Sequence, residues 1–118
     1  MHFFVTGGTG FLGSHFLQAS LADGHHVTAL RRFGSRPRIQ LKQEPNWCDG
    51  NLDADWSNNL KGCDVLVHLA AAGVATDKDN WEHCFLVNVT QSLALWHQAM
   101  DCGVRNFLIC GSCFEYGL

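Results

Sequence analysis

The stretch Thr6–Gly13, TGGTGFLG, sets Gly7, Gly10 and Gly13 at even spacing directly behind a short apolar run. Glycines placed this way handle phosphate. Gly7 permits a tight turn, Gly10 lets the backbone approach a pyrophosphate with no Cβ in the way, and Gly13 lets the next helix pack close to the sheet. Thr9, Phe11 and Leu12 complete the loop and open that helix, whose free N–H groups and positive dipole end face the anion. Further on, a second apolar run ends in Leu30-Arg31-Arg32. A carboxylate there would hold the hydroxyls of an adenosine ribose, whereas a guanidinium grips a 2′-phosphate through paired charged hydrogen bonds. Arg31, helped by Arg32 and Arg36, therefore predicts NADP(H) as the preferred cofactor, with NAD(H) as the alternative. Arginines of a solvated loop with no ligand would read the same way.

A second chemistry is suggested by Cys110 and Cys113, a C-x-x-C that suits a redox pair or half of a zinc site. A structural zinc site needs another ligand pair. His25–His26 are adjacent and early, and His83–Cys84 fall in an expected helix, so no metal is assigned. The plainer expectation is that these small thiols fill a strand end.

These residues need elements to position them. Short apolar runs over 2–6, 26–30, 65–69 and 106–110 read as buried strands, with a weaker one over 45–48. Helical spacing covers 11–23, stopped by Gly24. A long helix is expected over 81–100, with Trp81, Phe85, Val89, Trp96 and Met100 along its apolar face. Residues 33–43 start as a basic loop, with a short helix expected to follow. Strands alternating with helices imply an α/β, Rossmann-like, doubly wound parallel sheet in the order 3-2-1-4-5.

The 118 residues suit one domain, and 47% apolar with 16% charged is a globular composition. The longest uncharged apolar stretch, Val65–Val74, falls short of the roughly 20 residues that span a bilayer. The N-terminus has no basic n-region, so no signal peptide is read and a cytoplasmic location is expected. A net charge of −3 with no basic cluster argues against nucleic acid as a partner.

The G-x-x-G-x-x-G form, with Thr6 before it, resembles the extended short-chain dehydrogenase/reductase family: NAD(P)-dependent epimerases, dehydratases and reductases of nucleotide sugars. His68-Leu69-Ala70-Ala71 is similar to that family's H-[LF]-A-[AG] segment. Asn88-Val89 resembles its N-V-x-G-[ST] helix motif, with Gln91 in place of the glycine. Gly111–Gly117 resembles its S-S-x-x-V-Y-G block, and Asn51-Leu52 stand where relatives carry Asp-[LI] against the adenine. The resemblance implies cofactor contacts from Asn51, Leu52, Leu69, Ala70, Ala71 and Asn88. It places Ser112 at the catalytic serine that orients the substrate oxygen. His68, at a strand end, is expected in a packing or backbone hydrogen-bond role and not as a catalytic base.

The tyrosine and lysine that complete such a site are not found in the chain. Tyr116, its only tyrosine, belongs to the Y-G of the block, and Lys42, Lys61 and Lys78 fall in loops or outside the expected helix. The expectation is an incomplete NAD(P)-binding domain over 1–118, truncated after about five strands, without the C-terminal lobe for the nucleotide-sugar substrate and inactive alone. Its fifth strand would be an exposed edge inviting self-association. A free-standing, non-catalytic dinucleotide-binding or sensor module is the alternative.

Overall fold

A computed structural model of the chain describes residues 1–73 and 80–117; Lys78 and the Val74 end of the long apolar stretch lie outside the described residues. Five strands, β1 (His2–Thr6), β2 (His26–Arg31), β3 (Asn46–Asp49), β4 (Val65–His68) and β5 (Asn106–Ile109), form one sheet. All pairings are parallel and the order is β3-β2-β1-β4-β5, as the alternation of elements predicts.

Side chains alternate across each strand, so the apolar runs feed two cores. On one face Phe4, Leu30, Cys48 and Leu66 pack with Leu60, Leu95, Ala99 and Val104. On the other, Val5, Val27, Ala29 and Val67 pack against Leu17 of helix α1 (Phe11–Ala22). Covering both faces is what lets such uniformly apolar strands exist in water.

Three expectations need correction. No helix forms between residues 33 and 45; Pro37 and the absence of an apolar period leave bends there. A four-residue helix, α2 (Ser57–Leu60), appears where none is expected, too short to show a period. It is started by Asp55, whose carboxylate accepts from the Ser57 amide at 3.0 Å, and it delivers Leu60 to the core.

The long helix is α3 (Trp81–Phe85), a π-helical stretch (Leu86–Gln91) and α4 (Ser92–Asp101) in succession. Of its expected apolar face only Trp96 packs against the core: Trp81 is 76% exposed, Phe85 56% and Met100 52%, while Ser92, Leu95 and Ala99 are buried. A π-turn carries more residues per turn, so a 3.6 spacing extrapolated through it loses phase.

Candidate cofactor site

A parallel sheet brings the C-terminal ends of all five strands to one edge, and the glycine loop sits there between β1 and α1. Gly7 has φ +72°, and a Cβ on it would lie 2.6 Å from backbone atoms of Leu69 and Ala70. The loop is thus pressed against the chain leaving β4. The Gly10 amide donates to the Gly7 carbonyl at 3.1 Å. A Cβ on Gly10 would meet only that carbonyl, at 3.3 Å, so the outer side of the loop is open. Gly13 differs from expectation: its missing side chain makes room for the Gly7 carbonyl, so helix packs on loop rather than on sheet.

Helix α1 begins at Gly10, which caps it with no side chain, and its first turn has no acidic residue. The first N–H groups of a helix lack internal partners and carry the positive end of its dipole. Thr9 is partly buried, while Phe11 and Leu12 are exposed beside this end. The arrangement offers backbone donors to an anion.

Under the loop runs a chain of polar contacts that the sequence did not reveal. The Thr6 hydroxyl oxygen accepts from the amides of Leu69 and Ala70, each at 3.2 Å, and donates its proton to His68 Nδ1 at 2.9 Å. His68 Nε2 donates to the Ser92 hydroxyl at 3.0 Å, and Ser92 donates to the Val87 carbonyl at 2.8 Å. With the Ser92 proton committed to the Val87 carbonyl, His68 Nε2 is the donor to Ser92, which makes His68 the neutral Nε2–H tautomer. Burial agrees, pushing the His68 pKa down to about 4. Its expected packing role therefore becomes a specific one: it joins β1 and β4 to the π-helical stretch.

Asn88 also works through the backbone. Its amide accepts from the Ala72 N–H at 2.8 Å and donates to the Ala72 carbonyl at 3.0 Å. Both ends of the side chain bond Ala72, so Asn88 holds the segment after β4. Leu52 likewise departs from its expected contact, its side chain lying in the core at 8% exposure. Asn51 is exposed, and its carbonyl accepts from Trp56 Nε1 at 2.8 Å. Leu69 and Ala70 are partly buried and Ala71 is exposed at the same edge.

At the tip of β2, Arg31 Nε donates to Asp49 Oδ1 at 2.6 Å, and its guanidinium lies 4.5 Å from the Trp47 ring centroid. Arg32 beside it is exposed. Asp49 and Trp47 were not among the residues expected at the site; the only sequence signal is their alternation in a short strand.

Past β5, Ser112 caps a single 3₁₀ turn, Cys113–Tyr116. Its hydroxyl accepts from the Phe114 amide at 3.2 Å, and Glu115 accepts from the Ser112 amide at 3.0 Å. An open cleft of about 390 Å³ is lined here by Ile109, Gly111, Ser112, Cys113, Glu115 and Tyr116. Cys110 and Cys113 are free and exposed. They do not fill a strand end as expected, because no element covers this end of β5 among the described residues. Among those residues no helix is long and apolar enough to cross a membrane.

A model of the NAD dependent epimerase/dehydratase family matches residues 3–118. The chain belongs to that family. It is 37% identical over 109 residues to a Synechocystis sp. protein named for dihydroflavonol 4-reductase, covering 92% of this chain and 28% of that one. Among solved structures, the Bordetella bronchiseptica enzyme WbmH in complex with NAD+ superposes with a TM-score of 0.78 at 29% identity, over 98% of this chain and 40% of WbmH. MoeE5 in complex with UDP-glucose and NAD gives 0.81 at 26% identity, over 99% of this chain and 38% of MoeE5. The chain thus spans well under half the length of these epimerase/dehydratase relatives.

Proposed function

We propose that this chain is the dinucleotide-binding part of an NAD(P)-dependent epimerase, dehydratase or reductase of nucleotide sugars, and that it prefers NADP(H). The observation that carries the reading is the glycine loop opening on an α1 N-terminus with no side-chain cap. Its backbone amides suit a pyrophosphate, which WbmH and MoeE5 take as part of NAD. The preference for the 2′-phosphorylated form rests on Arg31, with Arg32 and Arg36 adding positive charge.

When bound, the dinucleotide supplies or accepts a hydride. The chain's own residues do the rest of what falls to it. Gly7, Gly10 and Gly13 shape the phosphate cradle, Asn51 and Ala71 line the edge, and Asn88 and Thr6 hold the segment after β4. Ser112 orients the substrate oxygen. A Tyr-x-x-x-Lys pair outside these 118 residues would complete the catalytic set, so the chain alone binds cofactor without turnover. Its partners are the dinucleotide and, in the longer relatives, a nucleotide sugar, with no role for nucleic acid. The setting is cytoplasmic, and the outer side of β5, where Leu108 is 51% exposed, is its surface for self-association.

Titration by calorimetry tests this. NADPH should bind more tightly than NADH, and Arg31→Asp should reverse the order. An unchanged ratio would remove Arg31 from the cofactor site.

A further inference from the structure

We infer that Asp49 and Trp47 are positioning residues for cofactor selection: together they hold the Arg31 guanidinium ready for an adenosine 2′-phosphate. This rests on the NADP(H) reading and adds to it the two side chains on the neighbouring strand that make Arg31 effective.

The register of β2 and β3 creates the arrangement. Arg31 pairs with Asp49 and Ala29 with Trp47, so the three side chains of Arg31, Asp49 and Trp47 share one face of the sheet. That face is at the edge where the glycine loop lies. Arg31 is then constrained at three points. Its carbonyl accepts from the Gly50 amide at 2.9 Å, its Nε is fixed by Asp49 at 2.6 Å, and its flat face lies over the Trp47 ring. Trp47 is itself anchored, donating from Nε1 to Glu44 Oε2 at 2.6 Å and packing against the apolar cluster under α1.

The consequence lies in what stays unused. Asp49 takes only Nε, and the terminal Nη1 and Nη2 of Arg31 have no partner among the described residues, with the side chain 27% exposed. Two terminal donors thus remain for a ligand on a partly exposed side chain whose rotamers are already restricted. An unclamped arginine would lose that freedom only on binding, at a cost to affinity. As a stabilising feature the ion pair has little to offer, since a solvent-accessible pair is screened by water and salt.

The Asp49 carboxylate has two opposed effects on an incoming phosphate. Its hydrogen bond aims the guanidinium, and its charge repels the dianion. Replacing it separates them. Asp49→Asn keeps an acceptor for Nε and removes the charge, while Asp49→Ala removes both.

The experiment measures Kd for 2′,5′-ADP and for 5′-AMP by calorimetry, with thermal melting as a control on folding. In the wild type 2′,5′-ADP should bind more tightly, and Arg31→Ala should remove about 10-fold of that ratio, the weight of a charge-assisted hydrogen bond. Asp49→Ala should cut the ratio about 5-fold and Trp47→Ala about 3-fold, both leaving 5′-AMP unchanged; the sizes are on the scale of single contacts. Asp49→Asn and Trp47→Phe should restore it, with Asp49→Asn at or above wild type. If Asp49→Ala leaves the ratio within twofold, or raises it as Asp49→Asn does, the positioning role is overturned while the NADP(H) reading stands. If the wild type shows no preference and Arg31→Ala changes nothing, the reading fails and the positioning role with it.

Discussion

Thr6 and Ser112 stand on the same edge of the sheet, one at the end of β1 and the other just past β5, yet their hydroxyls are held in different ways. Thr6 is fully buried and its partners, His68, Leu69 and Ala70, lie more than sixty residues away in sequence. Ser112 is exposed, and its hydrogen bonds close within three residues, to Phe114 and Glu115. Around Thr6 the contacts join β1, β4 and the π-helical stretch. Around Ser112, among the described residues, they stay within one turn, and Phe114 and Tyr116 are 73% and 91% exposed. The glycine-loop side of the edge is therefore braced across the fold, whereas the serine side is shaped only locally. Preorganised donors lose little on binding, so affinity for the dinucleotide should reside in the first region.

The severest way to break the first region is through its glycine turn. Gly7→Ala puts a Cβ on a backbone at φ +72° and within 2.6 Å of Leu69 and Ala70. Left-handed backbone costs a non-glycine residue about 1 kcal/mol or more, and a clash with main-chain atoms that cannot swing aside adds further strain. The expected outcome is a loss of more than about 3 kcal/mol in denaturant unfolding, with dinucleotide binding lost. A variant as stable as wild type would mean that the loop can lift away from β4.

Acid should loosen the same region next. His68 has its pKa lowered to about 4 from 6.5 by burial, so the unfolded chain binds its proton more readily than the folded one. Its contribution is complete above pH 6.5 and is lost as pH falls toward and through 4. The gap corresponds to a loss of about 3 kcal/mol. Unfolding at pH 7.5 and at pH 4.5 should show it as a fall in midpoint, and His68→Gln should flatten that fall. An equal slope in the variant would assign the acid sensitivity elsewhere, for instance to His2, whose pKa burial also lowers.

The sequence spoke clearly where one residue type answers one geometric demand. Apolar runs that never alternate require cover on both faces, and their alternation with helices led to the doubly wound sheet. Gly7 was legible because only glycine takes a left-handed turn against another backbone. The Thr6–His68–Ser92 chain was not, because each member is an ordinary polar residue whose meaning depends on partners 24 and 62 positions away. Trp81 and Phe85 misled for a different reason. They are large and apolar, but the π-turn that follows them rotates the helix, so small Ser92 and Ala99 face the sheet instead. Asn88 was legible through its resemblance to a family motif; that its amide grips Ala72 follows from the fold.

The smallest effect sharpens the comparison most, because it makes equivalent deletions at both ends of the edge. Thr6→Val keeps shape and removes the hydroxyl, leaving the Ala70 amide and His68 Nδ1 without their partner, while the Leu69 amide keeps the Thr6 carbonyl at 3.2 Å. Unpaired buried groups cost about 1–3 kcal/mol, so a loss of about 2 kcal/mol is expected in chemical unfolding. Ser112→Ala removes the same group from a solvated cap, where water can take over the Phe114 amide, and should cost less than about 1 kcal/mol. Under the proposed function its effect would fall on turnover, and not on the fold or on cofactor affinity. Equal losses in the two variants would show that the serine end is tied into the structure as firmly as the threonine end, and the contrast between long-range and local construction would not hold.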